Sequence, residues 1–129
     1  MAQTDRRRLV GALGEDLAQR HLEARGFELL EANFRTRHGE LDVVAANENC
    51  LVFCEVKTRV LASRTGAALS PFAAIGALKR RQVRLMAREW LALRGSEAPW
   101  RAELRFDAIG VEVDQHGRLV RLEHLEGAF

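Results

Sequence analysis

Hydrophobic and polar positions change period several times along the chain, and each change marks an element. Thr4 and Asp5 can cap a helix that runs to about Arg25, where Gly26 stops it. Leu9, Val10, Leu13, Leu17 and Ala24 recur along it as an apolar stripe. Beside the stripe, Gly11, Gly14 and Ala18 form a row of small residues, which permits close approach to a sheet or a phosphate. Residues 27–34 read as a first strand and residues 33–39 as the turn out of it. Residues 39–59 hold two runs rich in Val, Leu and Phe, parted by Asn47-Glu48-Asn49, the pattern of a β-hairpin. Residues 60–71 are small, dotted with Arg and punctuated by Gly66 and Pro71, and read as a loop. The longest helix is expected over 72–93, with Ser70 as N-cap, Pro71 in the first turn and Gly95 as stop. Its buried face would be Ile75, Val83, Met86, Trp90 and Leu93. Residues 103–113 read as a strand, 114–117 as a turn and 118–125 as a returning edge strand. The succession α-β-β-β-α-β-β predicts an α/β domain spanning residues 1–129, one mixed sheet flanked by helices.

The hairpin carries charge where strands are normally depleted of it: Glu40 and Asp42 on the first run, Glu55 and Lys57 on the second. A register in which paired residue numbers sum to 97 gives one face of Leu41, Val43, Ala45, Val52, Cys54 and Val56, with no charge. A one-residue slip would set charged positions against apolar ones, which is disfavoured where a face is buried. The same register sets Asp42 opposite Glu55, and Glu40 opposite Lys57. Two facing carboxylates destabilise a sheet unless something neutralises them, and a hard divalent cation such as Mg²⁺ takes oxygen ligands of this kind.

Asp42 followed twelve residues later by Glu55-Val56-Lys57 is similar to the Asp…Glu-X-Lys signature of restriction-endonuclease-like nucleases. The longer set Gly14-Glu15, Asn33-Phe34-Arg35, Gly39-Glu40-Leu41-Asp42, Phe53 to Arg59 and Arg105-Phe106-Asp107 resembles the bacterial YraN family (UPF0102), over roughly residues 9–113. That family is endonuclease-like and similar to archaeal Holliday-junction resolvases. Leu41 stands before Asp42 in place of a Pro that is often missing in this fold, and Cys54 stands where Val is expected. The resemblance implies a restriction-endonuclease-like core and Mg²⁺- or Mn²⁺-dependent hydrolysis of DNA phosphodiesters, with branched DNA as a substrate. Asp42, Glu55 and the backbone carbonyl of Val56 would hold the metal, with Glu15 completing the site or holding a second ion. Lys57 would orient the attacking water and stabilise charge growing in the transition state. Read from pattern alone, Glu15 is an ordinary solvated residue. Resolvases cut two opposed strands, so the resemblance also implies a homodimer. A second reading keeps the fold without the chemistry: a nucleic-acid-binding module of DNA repair or recombination. A purely structural role leaves the facing carboxylates unexplained.

Composition changes this picture in one respect. Hydrophobic residues make up 47% and charged residues 29%, an ordinary globular balance, and the net charge of +2 does not by itself announce a nucleic-acid partner. The kind of base is more telling. Of twenty basic residues only Lys57 and Lys79 are Lys; the rest are Arg. A compact ammonium therefore stands at the motif position in a chain that otherwise uses guanidinium. Arg35, Arg37, Arg59, Arg64, Lys79, Arg84 and Arg88 are candidate phosphate contacts. Lys79 interrupts an apolar helix face, so it must snorkel or meet a carboxylate. Asp107 shares a face with Ile109, Val111 and Val113, and an ion pair with an Arg is expected there. Cys50 and Cys54 lie on one face of one strand about 13 Å apart, too far for a disulfide. No apolar run approaches a membrane span, and Arg6-Arg7-Arg8 is not followed by an apolar signal region, so a cytoplasmic protein is expected.

Overall fold

A computed structural model describes residues 3–61, 76–95 and 103–129. The elements are α1 (Gln3–Ala24), β1 (Glu28–Thr36), β2 (Gly39–Ala46), β3 (Cys50–Val60), α2 (Ala77–Arg94), β4 (Glu103–Val113) and β5 (Leu119–Leu125). This is the succession expected from the pattern, and the fold is α/β. The strands form one sheet in the order β1-β2-β3-β4-β5. Neighbours are antiparallel except β3 and β4, which are parallel. A parallel pair needs a crossover to bring the chain back to the same end, and α2 lies in that crossover.

The two helices cover opposite faces. Ala18 and Leu22 of α1 pack on Val43, Val52, Cys54 and Ile109. Val83, Met86, Ala87 and Trp90 of α2 pack on Val44, Leu51 and Phe53. Phe53 anchors the second core, edge-on to Trp90 and stacked on Phe106. Cys50 and Cys54 are free, buried thiols on the α1 face. No helix among the described residues is long and apolar enough to cross a membrane.

The β2–β3 ladder has the expected register: Val43 pairs with Cys54, Val44 with Phe53, Ala45 with Val52 and Ala46 with Leu51. Asn47 Oδ1 closes the loop by accepting the N–H groups of Asn49 and Cys50. At the far end the expectation fails. The ladder stops at Val43–Cys54 although both strands continue. Past that point β2 changes sides, and Leu41 packs with the α2 face rather than with Val43.

Three helix details also differ. α1 begins at Gln3, so Thr4 and Asp5 sit inside its first turn rather than capping it. Its buried row is Gly14, Ala18 and Leu22, while Leu9 and Ala24 are exposed. α2 begins at Ala77 behind an extended Gly76, not at residue 72; Ser70, Pro71, Ile75 and the expected loop to residue 71 lie outside the described residues. Leu93, expected in its buried face, is exposed.

Gly14 sets how closely α1 approaches β3. A Cβ there would stand 1.8 Å from Thr58 Oγ1 and 2.7 Å from its Cβ and Cγ2. Thr58 is β-branched and stiff on a strand, so the helix must lift. Gly14→Ala is expected to destabilise the fold by about 1–3 kcal/mol through overpacking, despite the roughly 1 kcal/mol by which Ala favours a helix over Gly. Thr58→Ala should recover part of that loss in the double variant. Urea denaturation of the four proteins measures the coupling, and additive losses would mean that the two residues do not meet.

Candidate active site

The site forms where the β2–β3 ladder opens. Asp42 Oδ2 accepts the backbone N–H of Val56 at 2.7 Å. A side chain thus takes a donor beyond the last paired residues of the ladder, and Asp42 is drawn in between the strands. Asp42 is 4% exposed and Glu55 5% exposed. Burial, then the charge of Glu55, pushes the Asp42 carboxyl up to about 7, against the pull of the Val56 N–H; Glu15 and Glu40 push the same way.

Glu55 is better compensated. Lys79 Nζ of α2 lies 2.8 Å from its Oε1, and Lys57 Nζ lies 3.8 Å from the same atom. The lysine that interrupts the apolar face of α2 therefore meets a carboxylate, as the sequence requires, instead of joining Arg84 and Arg88. Glu55 Oε2 is buried and has no hydrogen-bond partner among the described residues.

Glu15 enters from α1. Burial raises its pKa, a hydrogen bond from Asn33 lowers it, and Glu40, Asp42 and Glu55 lie within electrostatic reach. Asn33 was not read as a site residue. It has φ +55°, a left-handed conformation that Asn tolerates better than most residues. Its place in the Asn33-Phe34-Arg35 run was the available signal.

Among the described residues no three acidic, His or Cys side chains converge as a ready ligand set. The chemistry of the donors nevertheless fits a hard cation. Two buried carboxylates influence each other, one with a raised pKa and the other with an oxygen that has no hydrogen-bond partner among the described residues. Mg²⁺ commonly takes only one or two protein carboxylates and completes its shell with water and substrate phosphate. Val56 is present through its N–H.

The basic candidates divide. Arg35 pairs with Glu40 at 2.9 Å, and Arg37 is exposed nearby. Arg59 lies 3.5 Å from the buried Glu112, which also pairs with Arg121. Arg84 is partly committed: it donates to the Phe129 carbonyl at 2.9 Å and covers the Phe106 ring. Arg88 is exposed, and Arg64 lies outside the described residues. Asp107 makes the expected ion pair, with Arg105. It also accepts from His124 and from the Gly127 N–H, and His124 in turn meets His21 of α1 at 3.0 Å. Burial would raise the Asp107 pKa, but these bonds outweigh it and hold the carboxyl low. Asp107 thus ties β4 to the chain end, apart from the carboxylate pair.

The model of a protein family described as uncharacterised, UPF0102, matches residues 14–111. A UPF0102 protein of Rhodococcus jostii is 42% identical over 120 residues, covering 93% of this chain and 95% of its own. One from Parafrankia is 45% identical over 121 residues, with 93% and 95% covered. One from Pelotomaculum thermopropionicum is 39% identical over 125 residues, with 97% and 98% covered. The matched span includes Glu15, Asn33, Asp42, Glu55, Lys57 and Lys79.

Proposed function

The chain belongs to the uncharacterised protein family UPF0102, and from that premise and the geometry of the carboxylate pair we propose a Mg²⁺- or Mn²⁺-dependent DNA endonuclease of the restriction-endonuclease-like kind. The observation that carries this reading is the pair itself: Asp42 and Glu55, both almost wholly buried, lie near enough at the open end of a hairpin for the charge of Glu55 to raise the Asp42 pKa. Buried carboxylates that repel each other are costly, and a bound cation would offset that cost. Asp42 and Glu55 would hold the cation, with Glu15 beside them. The cation, when bound, supplies polarisation of the scissile phosphate and a more acidic water. The Val56 N–H fixes the rotamer of Asp42. Lys79 anchors Glu55 from α2, which leaves Lys57, half-exposed on β3, to face the phosphate. The resemblance adds branched DNA as substrate and a homodimer; a cytoplasmic setting is part of the same proposal.

One observation favours the other reading, a binding module without cleavage. Lys79 already neutralises Glu55 at 2.8 Å, as an internal counter-ion would. A cleavage assay separates the two. Duplex, single-stranded, flap and four-way-junction DNA are incubated with Mg²⁺ or Mn²⁺ and, separately, with chelator. Cleavage is expected with metal only, and is expected to vanish in Asp42→Asn/Glu55→Gln. Binding without cleavage in every metal would give the site to the module.

A further inference from the structure

A groove of about 800 Å³ starts at Glu15 and Lys57 and runs between the first half of α1, the end of β3 and the β4–β5 turn. Its lining is of two kinds. Arg6, Arg7, Lys57 and Arg59 supply four cations. Among the described residues the lining itself holds two acids, Glu15 at the site end and Asp114, whose Oδ1 is taken by the N–H groups of His116 and Arg118; behind the lining Lys57 also reaches Glu55 and Arg59 reaches Glu112, while Arg6 and Arg7 stay exposed. Between the cations lie apolar side chains, and two are left in water: Leu9 is 70% exposed and Val60 42% exposed. Arg6 and Arg7 had signified nothing in the sequence beyond a basic start.

Cations beside exposed aliphatic surface call for a ligand that offers anions and apolar faces together. A duplex offers phosphates outside and keeps its base faces stacked inside, so it would leave Leu9 and Val60 in water. An unpaired strand offers both, and proteins that hold one combine a basic groove with side chains, usually aromatic, packed against the bases; here the exposed aliphatic groups of Leu9 and Val60 would take that place. The volume falls in the range of small-ligand pockets, enough for a short stretch of strand. We propose that this groove seats an unpaired nucleic-acid strand and leads it to Glu55 and Lys57. The substrate would then be a nucleic acid with a single-stranded segment. The substrate assignment rests on the nuclease reading; the binding assignment does not.

Gly11 provides the test. It lines the groove, and a Cβ there would meet nothing within 4 Å among the described residues, so a large side chain can fill the groove without disturbing the core. Fluorescence anisotropy is measured in chelator, where cleavage cannot intervene, with a labelled oligothymidylate and a blunt duplex of equal length. The wild type is expected to bind the single strand at least 10-fold more tightly than the duplex. Gly11→Trp, checked for folding by circular dichroism, is expected to lose at least 10-fold in single-strand affinity. Arg6→Ala/Arg7→Ala should lower the slope of log K against log salt by about 1.4, since each phosphate on a single strand contributes about 0.7. Arg20→Ala removes an exposed α1 charge that pairs with Asp16, and should change affinity less than twofold. A wild type that prefers duplex, or single-strand binding that survives both Gly11→Trp and the Arg pair, would overturn the groove. Loss of binding in Gly11→Trp from a wild type that cuts no DNA would keep the groove and remove the nuclease.

Discussion

Asp42→Asn is expected to melt at a higher temperature than the wild type at pH 8 in chelator, and to lose most of the wild type's fall in stability between pH 4 and pH 7. The ordinary Asp42 value of 3.8 is pushed up to about 7 by burial and by Glu55. Between those values the folded protein keeps a proton that the unfolded chain releases. Stability contributed by this group therefore falls as pH rises through the window, and the full penalty remains above it. A displacement of roughly three pH units at 1.36 kcal/mol each is on the order of 4 kcal/mol, an upper figure for a pair that can relax. Asn keeps an oxygen for the Val56 N–H and removes the charge that opposes Glu55. Mg²⁺ should narrow the gap by stabilising the wild type alone: a ligand at a hundred times its dissociation constant adds about 2.7 kcal/mol. Calorimetry across pH, with and without metal, measures both effects. A variant that melts lower than wild type at pH 8 and keeps the pH slope would show Asp42 to be ionised and already neutralised in the metal-free fold.

The pattern disclosed the hairpin register because a buried face punishes slippage, and Val43 through Ala46 obey it. It could not disclose where the ladder ends. Alternation assumes that backbone pairs with backbone, whereas here the Asp42 side chain takes the Val56 N–H. The side-change of Leu41 goes with that opening. In α1 the eye follows large apolar residues, yet the buried row is Gly14, Ala18 and Leu22, because nearness to the sheet is set by what is missing at Gly14. Lys79 and Asp107 were legible as charges needing partners, since each interrupts an apolar face. The partners were only half legible. Glu55 lies on another element. Arg105, two residues before Asp107 on the same strand, was foreseen as an Arg, but His124 and Gly127 were not.

The two lysines give the sharpest separation of roles, because both point at one oxygen of Glu55 from different elements and distances. Lys57→Arg preserves charge and suits a chain rich in Arg. It replaces a compact ammonium with a planar, delocalised group that cannot take the same place beside an attacking water. If Lys57 acts in the transition state, turnover should fall by about 100-fold or more, the range for loss of one charge-stabilising donor. KM should barely move, since the charge facing the phosphate persists, and the melting temperature should not change. Lys79→Met should behave differently. Its ammonium lies 2.8 Å from a carboxylate whose second oxygen is buried without a partner among the described residues, so its loss leaves Glu55, among those residues, with the more distant Lys57. The expected result is a lower melting temperature in chelator, recovered in part by Mg²⁺, which would take over the neutralisation. Steady-state kinetics on the DNA form that is cut best, with a thermal melt of each variant, reads both lysines at once. Undiminished turnover in Lys57→Arg would remove Lys57 from the chemistry. A 100-fold loss of turnover in Lys79→Arg, with Lys57→Arg unaffected, would transfer the role to α2.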